Sequence, residues 1–447
     1  MTAKSLEKIY RSFKNEPVRI EELETFYVNA DNGRGKPIKK KLERRLMEAD
    51  DDNLRFLFAG HKGCGKSTEL VRLQDAINDD FVVINFSVVK ELDIANINYI
   101  EIFIAVMEQL FNFVNQTPQI KIDPLYLENI LDWVKTKEIE EISQNYMGMD
   151  IDTQVKAGVK IPFFADFFAK FRAAAKSSSS FKEVLKTKIE PKLSTLIFNC
   201  NQLIGEIKNN LPSIQKKGLV LIIEDLDKVD IDKGMDMFYT HSTQLTQLHC
   251  HCIYTFPIAL RYNLKFNPIK VNYNDTFVLP MIKVREKNGD RFDAGVTTLT
   301  SIVEKRMDLS LFENREILHK MIRISGGCMW DLFRLIKDAA DNALDYDREK
   351  ISDDDYRLAV IGMQADYMAQ IAENPEKGIK VEDYYQALAD CALDDNKKPK
   401  SSDIMLDLRS NLSVLNYNGE DWSDVHPIVR EILRENGYLE SETETDR

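Results

Sequence analysis

The chain has 447 residues, 44% of them hydrophobic and 30% charged, which is an ordinary globular composition with room for two to four packed units at about 150 residues each. A formal net charge of −13 excludes a surface-wide attraction to nucleic acid or anionic lipid. No apolar run approaches the ~18 residues a membrane helix needs, the N-terminus lacks a signal-peptide core, and the six cysteines form no CxxC pair, so a cytoplasmic protein without a membrane partner is expected.

Residues 1–53 read as an N-terminal helical and linker segment. Its most basic run, Gly33–Arg45 (GRGKPIKKKLERR), reads as a solvated linker and helix face. Leu54–Ala59 is a short apolar strand, and the residues after it match G-x-x-x-x-G-K-[ST] at every fixed position: Gly60, His61, Lys62, Gly63, Cys64, Gly65, Lys66, Ser67, followed by Thr68. The glycines let successive N–H groups turn toward phosphates, Lys66 reaches the β and γ oxygens, and the Ser67 hydroxyl suits Mg²⁺. Leu70, Leu73 and Ile77 then share one helical face, which puts a helix N-terminus under the phosphates. ATP and Mg²⁺ are the expected cofactors.

Asp80–Val88 (DFVVINFSV) is the next strand. The stretch from there to the acidic strand is longer than an α/β passage requires, which marks an insert over about residues 117–190. Within it Phe163, Phe164, Phe167, Phe168 and Phe171 recur at helical spacing, with Lys170, Arg172 and Lys176 nearby. Core packing, a partner-binding helix and a membrane-surface helix all fit that stripe. Ser177–Ser180 reads as a loop.

Gly218–Asp230 (GLVLIIEDLDKVD) carries five consecutive apolar residues, as a central strand buried on both faces would, and ends in Glu224, Asp225, Leu226 and Asp227. Carboxylates at that strand end share the sheet edge of the phosphate loop. One carboxylate would hold Mg²⁺ through water and its neighbour orient the attacking water; Asp225 and Glu224 are the catalytic candidates, with Glu224 also the metal candidate beside Ser67. His249–Cys252 (HCHC) invites a zinc reading, but alternate residues of a strand face opposite ways and no second pair follows at zinc spacing. Cys252–Leu260 and Thr276–Val284 complete five strands. The expected fold over residues 54–288 is therefore an α/β P-loop NTPase, an αβα sandwich on a parallel five-stranded sheet.

Residues 289–372 read as a helical lid. In it Ser325-Gly326-Gly327 opens a helix, with Ser325 as a candidate N-cap. An ABC-type signature precedes the acidic strand, whereas this SGG follows it. Residues 373–447 read as a winged helix with an acidic tail, with Asn418-Gly419 as the hairpin turn. From Val381 to Arg447 there are 7 Lys/Arg against 16 Asp/Glu, so DNA is a disfavoured partner for this unit and a protein contact is the stronger expectation. His426-Pro427 reads either as a contact to the nucleotide domain or as a helix start. No nuclease or Ser-His-Asp constellation is present.

In order, LFAGHKGCGKSTEL, LIIEDLDKVD, IYTFPIAL, LPMIKV and RISGGCMWDLFRLIKDAADNAL resemble AAA+ ATPases of the branch holding origin-recognition initiators and STAND-type signalling ATPases, and among these the bacterial stand-alone members found beside antiviral defence genes. The resemblance spans Leu57 to about Leu344. It implies a nucleotide-operated switch acting on a separately encoded effector or a neighbouring subunit, with a DNA-binding initiator as the alternative. It also implies that Thr255 is the sensor near the γ-phosphate. Two departures stand out: the family's usual aspartate is Glu224 here, and its usual lid arginine is Trp330. Arg334 follows Trp330 by one turn, and Arg261 and Arg306 are further candidates for a catalytic arginine, so slow or partner-stimulated turnover is expected.

Overall fold

Leu219–Ile223 are apolar without interruption, and such a strand is stable only with both faces covered. The computed structural model, which describes residues 2–49, 53–151, 160–417 and 422–440, buries it in the middle of a five-stranded sheet. The strands are β1 (Arg55–Gly60), β2 (Phe81–Ser87), β3 (Gly218–Glu224), β4 (His251–Pro257) and β5 (Asp275–Val278). All pair in parallel, in the order β2-β3-β4-β1-β5. The phosphate-loop strand thus lies next to β4, and the acidic strand sits between β4 and β2. Helices cover both faces, which makes the unit an αβα P-loop NTPase sandwich.

Two strands are shorter than the sequence suggests. β4 stops at Pro257, whose missing N–H ends the ladder, and Ile258–Arg261 turn into a helix. β5 stops at Val278. The extended residues beyond it, interrupted by Pro280, pair elsewhere: Met281 N–H donates to the Asn416 carbonyl at 3.4 Å and Lys283 N–H to the Gly33 carbonyl at 2.9 Å.

The longer helices are α1 (Ile38–Met47), α2 (Lys66–Ile77), α3 (Tyr99–Gln116), α4 (Ile161–Ser177) and α5 (Leu193–Asn210), then α6 (Asp293–Glu304), α7 (Arg315–Ile324), α8 (Met329–Asp345) and α9 (Asp353–Gln370) of the lid region. The chain ends in α10 (Val381–Ala392), α11 (Asp403–Ser410), the antiparallel hairpin β6 (Val414–Tyr417) and β7 (Trp422–Val425), and α12 (Pro427–Glu435). The Asn418-Gly419 turn lies outside the described residues.

The phenylalanine stripe belongs to the core. Phe164, Phe167, Phe168 and Phe171 of α4 are fully buried, and Phe111 of α3 stacks on Phe164 and Phe168 at 5.1 and 5.7 Å. The serine run is a one-residue break, not a loop: Ser178 caps the helix that follows by accepting from Phe181 N–H at 3.2 Å. The N-terminal segment is more than a linker, because Ala3, Leu6, Ile9 and Phe13 are buried in the lid core. The chain pairs there too, with Ala3 N–H donating to the Arg306 carbonyl at 2.8 Å. Among the described residues, no helix is long and apolar enough to cross a membrane.

Candidate functional site

β1 delivers the chain to Gly60, and His61–Gly65 turn it back into α2 at Lys66. Gly63 and Gly65 take φ of +74° and +96°, the left-handed region that favours glycine. A Cβ at Gly65 would stand 2.6 Å from Met329 Cε, and one at Gly63 would stand 2.9 Å from Trp330 Cγ. The glycines therefore also make room for α8, whose Met329 N–H donates to the Gly63 carbonyl at 3.2 Å.

Lys66 is buried. Its ammonium donates to the Gly60 and His61 carbonyls at 2.8 and 2.7 Å and pairs with Asp227 Oδ2 at 3.0 Å. Glu224, the last residue of β3, lies in register with Ser87 of β2 and is hydrogen-bonded by the side chains of Ser67 and Asn85. Burial pushes its carboxyl up to about 7, and the nearby Asp225 and Asp227 add to the rise. Asp225 leaves the strand at φ +70°, a strained conformation for a side chain, with its carboxylate bonded to the Ser87 hydroxyl and to Lys228 Nζ at 2.7 Å.

These groups face one cavity of about 660 Å³, well within the range of small-molecule sites. Its acidic flank carries Asn85, Ser87, Glu91, Glu224 and Asp225. Its apolar flank is made by Val18, Phe26 and Val28 of the N-terminal segment with Ile302 and Phe333 of the lid. The N-terminal segment is tied along α2, with Val18 N–H donating to Thr68 Oγ1 at 3.4 Å. Arg34, which the basic run placed on a solvated face, is instead buried: it donates to the Cys64 carbonyl at 2.6 Å and pairs with Glu69 at 3.0 Å.

The other candidates separate. Trp330 lines the cavity against Gly63, with Lys228 Nζ 5.7 Å from its ring. Arg306 also lines the cavity of its own chain and is buried, so it is not available to a neighbouring subunit. Arg334 is held by Asp338 and Asp366 and is not on the cavity wall. Arg261 stacks over Phe266 at 4.5 Å, also off the cavity wall. Thr255 is buried and donates to the Ile223 carbonyl at 3.4 Å without reaching the cavity. Cys64 is buried, and burial pushes its thiol up. His251 is likewise a core residue, its Nδ1 accepting from Leu54 N–H at 3.2 Å.

Ser325 is not the N-cap of α8; that place belongs to Cys328. Its hydroxyl shapes the preceding turn, donating to the Ile322 carbonyl at 2.8 Å and accepting from Gly327 N–H at 3.3 Å. His426 fills the helix-start role, and its other contacts go to Ser325 and Asp331 and not to the nucleotide domain. Its Nδ1 accepts from Ile428 N–H at 3.2 Å as a cap, and its Nε2 lies 3.1 Å from the Ser325 carbonyl and from Asp331.

Three features were missed from sequence. Asp227 was visible in the acidic run without a role. Asn85 sits in a strand that shows only its apolar pattern. The third is a contact on the phosphate loop itself: His61 is fully buried, with its Nε2 3.0 Å from Asn416 Oδ1 and 2.9 Å from the Asn416 backbone N. Burial drives the His61 imidazole down to about 3, so it is neutral, and β6 of the C-terminal hairpin rests directly on the loop.

The donor set fits a hard cation in part. Among the described residues no cluster of three or more His, Cys, Asp or Glu has metal-holding geometry. Ser67 and Glu224 would supply two oxygens, leaving the rest to phosphate and water, as is usual for Mg²⁺.

No protein-family profile matches the chain, and no curated protein does. Solved structures similar to it include the ORC2 protein of Aeropyrum pernix in ADPNP–ADP complexes, at 12% identity over 95% of this chain and 98% of that one, with a TM-score of 0.39. Cdc6p of Pyrobaculum aerophilum is 11% identical over 97% of this chain and all of its own, with a TM-score of 0.41. A Walker-type ATPase of Pyrococcus abyssi is 12% identical over 95% of this chain and 99% of its own, also at 0.41. At these values the fold assignment rests on the strand order and loop geometry of this chain.

Proposed function

We propose that this chain is an AAA+-type ATPase of the origin-recognition and STAND-like branch, working as a slow nucleotide-operated switch on a protein partner. The observation that carries it is the convergence of Lys66, Ser67, Glu224 and Asp225 on one cavity at the C-terminal edge of a parallel sheet. Backbone N–H groups of the loop and the N-terminus of α2 would receive the phosphates of ATP. Lys66 would take β and γ oxygens, and Ser67 with Glu224 would hold Mg²⁺. Bound there, Mg²⁺ would neutralise charge on the transferred phosphoryl group. Asp225, fixed by Ser87 and Lys228, would orient and polarise the attacking water.

The switch reading rests on the C-terminal unit. All eight described residues of β6 and β7 are buried, and the hairpin bonds the loop at His61 and the lid turn through the Tyr417 hydroxyl, which donates to the Gly326 carbonyl at 2.8 Å. A change in the loop would be felt there first. We read this unit as winged-helix-like and as a module docked on the protein, with a second subunit or a separate effector as the partner. The same burial and the acidic balance speak against a DNA-binding initiator; a salt-sensitive shift of a DNA duplex at physiological ionic strength would restore that alternative. The defence setting rests on the sequence resemblance alone.

Lys66→Ala is expected to weaken ATP binding at least a hundredfold, a loss of about 2.7 kcal/mol, because the cradle loses its buried cation. Titration of the folded variant checks it, and unchanged affinity would remove the nucleotide reading.

A further inference from the structure

Arg306 is a buried cation with donors to spare. It is 8% exposed and lines the cavity. Its NH1 donates to the Ile302 and Phe26 carbonyls at 2.9 and 3.2 Å. Among the described residues its Nε and NH2 meet no acceptor, and no carboxylate lies within ion-pairing distance. The guanidinium lies 5.1 Å from the Phe333 ring centroid and 5.5 Å from that of Phe26. Burial pulls it down to about 10, with Glu22 only partly opposing this. Donors left open on a cavity wall are there for a ligand's acceptors to take up.

Its place along the cavity says which part of the ligand that is. The carboxylates and Ser87 mark one end, where γ-phosphate, metal and water belong. From Lys66 the other direction runs along α2, past Thr68 to Val18, where Val18, Phe26 and Val28 line the wall beside Asn15, Glu16 and Arg19. Arg306 stands there with the Phe26 and Phe333 rings and Ile302. A flat, largely apolar group with a few acceptor atoms fits there.

We propose that Arg306 donates to a ring acceptor of the nucleotide's base and is a specificity-determining residue of this site. The assignment rests on the nucleotide reading above and goes beyond it by giving the base an orientation. A charge-assisted hydrogen bond to one ring nitrogen is worth about tenfold or more in affinity.

The test uses the full chain with ATP, its 1-deaza, 3-deaza and 7-deaza analogues, and inorganic tripolyphosphate. In the unmodified protein one deaza analogue should bind about tenfold more weakly than ATP. In Arg306→Met, which has no donor, that difference should vanish, while tripolyphosphate binds both proteins equally. Equal binding of all three analogues to the unmodified protein overturns the proposal without any variant. A loss of tripolyphosphate binding in Arg306→Met also overturns it, by making the arginine a phosphate contact. If Lys66→Ala leaves ATP affinity unchanged, the nucleotide reading fails first; if Lys66→Ala is defective and the analogues are indistinguishable, only the base contact fails.

Discussion

Lys66 has three protons to donate, and all three are engaged within the chain, two by backbone carbonyls and one by Asp227. A phosphate oxygen can therefore be received only by displacing one of them. The carbonyls belong to the loop that cradles the phosphates, which leaves the carboxylate as the exchangeable partner. Asp227 also brings a buried negative charge toward an incoming polyanion, a repulsion that low-dielectric surroundings strengthen. Asp227→Asn should accordingly raise ATP affinity by about tenfold, the equivalent of about 1.4 kcal/mol. Titration calorimetry reads this directly. A fall in affinity would instead make Asp227 the group that orients the lysine toward its ligand.

Among the elements, α3 carries a buried acid at its start. Glu101 Oε1 accepts from Asn98 N–H at 3.0 Å and closes a capping box, while its Oε2 has no hydrogen-bond partner and Lys182 Nζ lies 3.7 Å from the carboxylate. Burial pushes Glu101 up to about 7 against the pull of Lys182. A carboxyl raised in the folded state stabilises folding below its ordinary range and loses that contribution as pH rises through about 7. Glu101→Gln keeps the capping acceptor and removes the charge. The variant should gain stability relative to the parent progressively from about pH 4.5 to about pH 7 and stay level above that, which parallel thermal unfolding across the range would measure. None of this shows in the sequence, where Glu101 is one of two acids, with Glu108, on a largely apolar helix. What sequence does show is periodicity: the stripe of α4 and the unbroken run of β3 announce which faces are apolar. They do not say what covers those faces. Hence the Phe stripe had three open readings until α3 was seen against it. Likewise, nothing in Ala3, Leu6, Ile9 or Phe13 says that the lid lies on the other side.

At the scale of the whole molecule, the site is assembled from segments far apart in the chain. The phosphate loop and its acidic strand were legible because their chemistry needs fixed residue types at fixed spacing. Arg306 was picked out for its charge, yet its burial depends on Phe26 and Phe333, which only folding brings to it. The bond between His61 and Asn416 spans 355 positions, and no local pattern marks either partner. Its position matters for how the molecule works. His61 lies inside the loop that would move with the phosphates, and β6 continues to the Gly326 carbonyl, so loop, lid turn and C-terminal hairpin share one set of contacts. Gly327 closes the set: at φ +85°, a Cβ there would fall 1.7 Å from the Ile282 carbonyl, so the turn cannot shift far without losing its seat. If nucleotide is sensed through this contact, breaking it should uncouple the two ends. In the parent, adding ATP should change amide exchange in Leu415–Tyr417. Asn416→Ala removes the side-chain amide, which also donates to Ser423 Oγ at 2.8 Å, and keeps the backbone N–H to His61; it should raise exchange there by about fivefold to tenfold in the absence of nucleotide, the loss of a buried hydrogen bond worth about 1 kcal/mol, and should weaken the further response to ATP. ATP affinity itself should stay within about threefold of the parent, since Asn416 lies on the far side of the loop from the cavity. An unchanged exchange response in the variant would place the signal elsewhere, for example in the contacts of Met329 on Gly63 and Cys328 on Lys62.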